Sequence, residues 1–195
     1  MKPIISFSFV MIVAACNSGV DKSAADSTNL LPTDTITTYT GVDSSVEFLD
    51  TFSNNIVPWL KQTTKNDAAN LAGLRYAENW VEDSLITSKQ DINKEFLKTY
   101  ESVIVYSPDK SKIIDLGSYG DADTEVAVVD LTAKMRRRVL FFGPGTSADH
   151  GYWMNDSTVL LTGLRTEQNA SVPMVWKIEM QKKSTVITRY EYSLR

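Results

Sequence analysis

The chain has one cysteine and one histidine among 195 residues. A single cysteine closes no intrachain disulfide, and one histidine with one cysteine leaves too few ligands for a usual zinc site. The nine glycines form no phosphate-cradling loop and no nucleophile elbow, and no motif asks for a cofactor. Charge of one sign is scarcely in excess: the net charge of −4 gives no attraction toward nucleic acid. Long apolar runs are missing as well. Ile4 to Ala15 is uncharged and mostly apolar, but as a helix at ~1.5 Å per residue it reaches roughly 18 Å, short of the ~30 Å hydrocarbon core. At 43% hydrophobic and 23% charged, the composition is that of a globular protein whose stability comes from a packed core.

What is present begins with an address. Lys2 precedes the apolar stretch, and small residues end it, as in an export signal. Val13-Ala14-Ala15-Cys16 resembles the lipobox of bacterial lipoproteins. That resemblance implies cleavage before Cys16, a diacylglyceryl thioether on its sulfur and acylation of the new amino terminus. Residues 1–15 are then a signal peptide, and the acyl chains tether the protein durably to a membrane. No cysteine is left for catalysis. Asn17 stands where an aspartate tends to retain bacterial lipoproteins at the inner membrane, so the expected location is the outer membrane, facing the periplasm.

Residues 16–43 are rich in Ser, Thr, Asp and Asn and poor in large apolar side chains, and they read as a lipidated cysteine followed by a flexible linker. As a random coil the linker spans roughly 28 Å on average. Asp26-Ser27-Thr28 and Asp34-Thr35-Ile36 are similar to an O-glycosylation motif of one group of Gram-negative bacteria, but such short motifs recur by chance in a Thr-rich stretch, and a plain solvated linker is the reading preferred here.

Residues 44–195 read as one α+β domain, helical over 44–100 and β over 101–195. Ser44 to Glu47 has the capping-box form. Phe48, Phe52, Ile56, Trp59 and Leu60 follow at helical spacing, with Pro58 expected to kink or end the helix near Val57. Leu74, Ala77, Val81 and Leu85 mark a second helix, and a third begins near Ser88 with Ile92, Phe96 and Tyr100. Beyond Tyr100, short β-branched and aromatic runs alternate with turns, which predicts eight antiparallel strands. Ser107-Pro108-Asp109-Lys110 suits a type I turn.

A repeat runs through this half. Tyr106 and Trp153 precede equivalent turns, Ile113 matches Leu160, and Val139 matches Val186, all at one offset. The segment "YSPDKSKIIDLG" weakly resembles the first hairpin of a β-propeller blade of the WD40-like or TolB-like kind. The resemblance implies an eight-stranded antiparallel meander in two four-stranded, blade-like units. Two units are too few to close a propeller. They either pack face to face or run on as one meander, with the helices over an open face or edge.

Residues able to carry chemistry are sparse. Ser147, Asp149 and His150 supply triad residue types, but a triad is assembled by the fold and not by adjacency. Asp121, Asp123 and Glu125 alternate like the start of a calcium loop, without the continuation an EF-hand requires. Arg136, Arg137 and Arg138 are a candidate anion-binding cluster for phosphates or anionic glycans; alternatively they form a charged edge that discourages strand pairing. Trp59, Trp80, Trp153 and Trp176 either line a carbohydrate face or pack between sheets.

Three classes of function stay open: a non-catalytic envelope binding module with a protein or glycan partner, an accessory structural subunit of an envelope complex, and an envelope hydrolase. An aromatic-rimmed pocket marks the first, a broad exposed apolar patch the second, and a pocket of perturbed titratable groups the third.

Overall fold

A computed structural model describes residues 47–82, 87–89, 92–118, 124–167 and 170–193. All lie in one of the two units into which the chain divides, 36–195. Cys16, the linker and Ser44 fall outside the described residues, as do Asp121 and Asp123. None of the helices among the described residues is long and apolar enough to cross a membrane.

The strands are β1 (Leu74–Glu82), β2 (Thr87–Lys89), β3 (Ile104–Tyr106), β4 (Lys112–Asp115), β5 (Thr124–Asp130), β6 (Met135–Phe142), β7 (Thr146–Asn155), β8 (Thr158–Glu167), β9 (Ala170–Met180) and β10 (Thr185–Tyr192). The α-helices are α1 (Ser53–Thr64) and α2 (Lys94–Thr99). Two antiparallel sheets result. The first has the order β1-β10-β9-β8-β7, the second β2-β6-β5-β4-β3.

The α+β class with antiparallel sheets therefore holds, but the eight-stranded meander is corrected to ten strands in two sheets. β3–β6 and β7–β10 are each a four-stranded meander, and each is extended by one strand from the region expected to be helical. β1 joins the edge of β10, and β2 joins the edge of β6.

The cause of the misread helix is visible in β1. Its register shifts between Tyr76 and Glu78, so Ala77 is an extra residue. Leu74 packs beneath α1 on the outer face, whereas Trp80 packs between the sheets. A bulge reverses the phase of the period-2 alternation. Apolar residues then fall three and four apart, which is the helical signature.

The sheets face each other across one core. Ile114, Val126, Val128 and Leu140 of the second sheet meet Val159, Leu161, Trp176 and Ile187 of the first, all buried. Each outer face carries one helix. α1 lays Ile56, Trp59 and Leu60 against Leu160, Val175 and Tyr190, and each such side chain contributes about 1.5–3 kcal/mol by burial. α2 lays Phe96 and Leu97 over Ile113 and Val129, its first turn capped by Asn93, whose side chain accepts from Phe96 N at 2.8 Å. The helical stripes predicted at Phe48–Leu60 and Ile92–Tyr100 are thus real packing faces. Helix α1 nevertheless runs through Pro58 to Thr64. Burial of Trp59 and Leu60 just beyond the proline offsets the lost backbone hydrogen bond.

The two units meet at equivalent turns. Lys110 N donates to Ser107 O at 2.9 Å in the β3–β4 turn, and Lys112 Nζ donates to Asp156 O of the β7–β8 turn at 2.9 Å. Trp153 Nε1 crosses from the first sheet to Val105 O of the second at 3.1 Å.

Asp109 organises the first of these turns. Hydrogen bonds from the Ser107 hydroxyl, then from the hydroxyl and backbone of Ser111, hold its carboxyl down at about 2 from an ordinary 3.8. A depressed carboxyl stabilises the fold fully above its unfolded pKa, and that contribution is lost as pH falls toward and through about 2. Thermal unfolding measured from pH 5 to pH 2 should therefore show a smaller acid loss in Asp109→Asn than in the parent; parallel curves would refute this.

Candidate functional site

At the end of the sandwich opposite these turns, the inner face of the first sheet changes character. By register, Glu78, Arg189, Trp176 and Leu161 stand side by side across β1, β10, β9 and β8. Leu161 and Trp176 belong to the core, whereas Arg189 and Glu78 lie where the sheets part. The Arg189 guanidinium bridges Glu78 Oε1 at 2.8 Å and Glu191 Oε1 at 3.0 Å. Arg165 reaches the same Glu191 oxygen at 3.0 Å and Glu167 Oε1 at 2.7 Å. A ladder of two guanidiniums and three carboxylates thus lines this end.

Between the ladder and the second sheet lies a cavity of about 200 Å³. Trp80, Trp176, Phe141 and Phe142 give it aromatic surface, and Arg165 and Arg189 give it polar surface. Phe142 and Trp176 are in contact, their ring centroids 4.7 Å apart. Arg189 Nε is buried without a hydrogen-bond partner. The ladder carries one formal negative charge in excess. It therefore offers oriented donors and acceptors to a neutral polar ligand and does not favour a free anion.

The arginine triplet does not form one cluster. Arg136 is buried on the outer face and pairs with Glu125. Arg137 points inward and donates to Gln181 O at 2.6 Å, to Ser184 O and to Thr185 Oγ1 at 2.9 Å, tying β6 to the β9–β10 turn. Burial lowers its pKa. Arg138 lies over the Phe141 ring, 5.4 Å from its centroid. Burial raises the pKa of Glu82, and the nearby Arg138 charge opposes that rise. The strand pleat turns Arg137 to the face opposite Arg136 and Arg138, and those two, two residues apart, have different partners.

Nor do the triad residue types converge. Asp149 sits at a register shift in β7 and accepts from Ser147 Oγ and from Trp59 Nε1, both at 3.1 Å. His150 is exposed, takes no part in those bonds, and has the Tyr152 ring as its aromatic neighbour at 6.4 Å. Burial raises the Tyr152 pKa. Among the described residues, no group of three or more His, Cys, Asp or Glu can hold a metal ion. Of the four tryptophans, Trp59 and Trp176 are buried in separate cores, Trp153 joins the sheets, and Trp80 and Trp176 border the cavity.

The ladder was missed in the sequence because Arg189 and Glu191 alternate with buried Tyr190 and Tyr192, and so read as a solvated strand face. The available signal was that the same alternation puts them on the face of buried Ile187.

The chain matches no protein-family model, no curated protein and no solved structure. The reading of this cavity accordingly rests on its own chemistry.

Proposed function

We propose that this protein is a lipid-anchored binding module of the bacterial cell envelope, held through Cys16, most naturally at the outer membrane facing the periplasm, and without catalytic chemistry of its own. The observation that carries the binding role is the cavity between the sheets, where aromatic faces and an Arg–Glu ladder meet. Aromatic surface suits the apolar face of a ligand, and the ladder suits its hydroxyl or amide groups. A neutral glycan unit has both.

The accessory-subunit reading predicts a broad exposed apolar patch. Among the described residues the exposed large apolar side chains are Tyr76, Tyr106 and Phe141, on three different strands. That scatter favours the pocket-based reading. A hydrolase needs a nucleophile aligned with its base, and Ser147 donates to Asp149 while His150 stands apart.

Two measurements test the proposal. In cells, the parent chain should fractionate with membranes and yield an acylated peptide beginning at Cys16, and Cys16→Ser should be released by a high-salt wash that leaves the parent bound; a parent chain that yields no acylated Cys16 peptide removes the anchor. In solution, neutral disaccharides should change the tryptophan fluorescence of the Cys16→Ser chain, and Arg189→Gln should weaken that response at least tenfold. No response from any of the sugars would remove the glycan class.

A further inference from the structure

The opposite end of the sandwich carries a different chemistry. The turns β3–β4, β5–β6, β7–β8 and β9–β10 all lie there, because each unit is a meander and Lys112 and Arg137 join the two sets of turns. These four turns carry Lys110, Lys134, Lys182 and Lys183 against Asp109 and Asp156. All four lysines are exposed. The end is therefore cationic in a chain whose net charge is −4.

Between the turns lies a groove of about 410 Å³, with Val128, Met135 and Met180 on its floor; Lys112, Arg137 and Lys182 outnumber Asp130 and Asp156 around it. Apolar depth beneath a rim with an excess of positive charge matches the boundary between a phosphate headgroup and its acyl esters.

We infer that this turn-bearing end docks on the anionic phospholipid headgroups of the membrane to which the chain is tethered. The inference rests on the proposed anchoring for its biological setting, but the contact is separate from the anchor. A random-coil linker of the length the sequence suggests, roughly 28 Å in mean span, would let a weak electrostatic contact be populated. Docking by this end would turn the Arg–Glu ladder and its cavity away from the membrane.

The test removes the anchor. The full chain carrying Cys16→Ser is mixed with phosphatidylcholine vesicles made with or without phosphatidylglycerol, and the bound fraction is read by sedimentation. The chain should sediment only with the phosphatidylglycerol vesicles. Binding should vanish near 1 M salt, where the Debye length is ~3 Å. Adding Lys110→Gln, Lys182→Gln and Lys183→Gln together should lower the partition coefficient on the order of a hundredfold. Replacing Lys61 and Lys65 of the α1 region by Gln should leave it unchanged. Equal binding to both vesicle types, no binding to either, or an unaffected triple variant would each overturn the inference. These outcomes are independent of the cell fractionation, so a failed docking surface and a failed anchor are told apart.

Discussion

Gly163→Ala should be among the most damaging single-methyl additions in this protein, costing about 3 kcal/mol. Gly163 lies inside β8, opposite Ala148 on β7 and Met174 on β9. The register shift in β7 between Ala148 and His150 pushes the backbone of Ser147 across it. A Cβ at Gly163 would overlap the Ser147 carbonyl oxygen and crowd Ala148 Cα at 3.1 Å. The obstacle is backbone of a paired strand, so no rotamer change relieves it. Relief requires β7 to move, and Asp149 with it, which strains the hydrogen bond from Trp59. Gly143→Ala is the matched control: nothing lies within 4 Å of its Cβ, and its effect should stay within ~0.5 kcal/mol. Urea unfolding of both variants checks the pair, and equal midpoints would contradict the packing described here.

Trp176→Ala should cost about 3–5 kcal/mol. The indole is 1% exposed at the centre of the inter-sheet core. It packs against Phe142 from the opposite sheet and stands beside Leu161 and Arg189 in its own. Truncation leaves a void that neither sheet can close, because both are held by their ladders of backbone hydrogen bonds. It also removes a wall of the candidate cavity, so the variant should lose the fluorescence response to disaccharides even where it remains folded. A Trp176→Ala chain with the parent's denaturation midpoint would show that the sheets are not joined through this residue.

Much of the fold was legible because it is local. The strands from β3 to β10 were readable from alternation and from turn residues such as Ser107-Pro108-Asp109-Lys110. Even there, the early part of β7, from Thr146, carries Ser147, Asp149 and His150 and lacks a regular apolar period. The stripes on α1 and around α2 were likewise correct as packing faces. The strands β1 and β2 were not legible. A bulge at Ala77 shifted the phase of one, and the other is three residues long, too short to show a period.

The candidate site was less legible than the fold. The arginine triplet attracts notice because its members are adjacent, but adjacency on a strand turns Arg137 away from Arg136 and Arg138. The Glu78–Arg189–Glu191–Arg165 ladder joins three separate strands, and the one local trace of it is the alternation that puts Arg189 and Glu191 on the face of Ile187.

The sequence by itself determined two four-stranded antiparallel units, the turns within them and the apolar faces of the helices, because each depends on residues a few positions apart. Only the tertiary structure decided that β1 and β2 complete the sheets, that the units pack face to face, and that an aromatic cavity with a charged ladder opens at one end. Those features depend on register and burial between distant segments. The free energy that selects them comes from removing Trp176, Phe142 and their neighbours from water together, which no single segment can do alone.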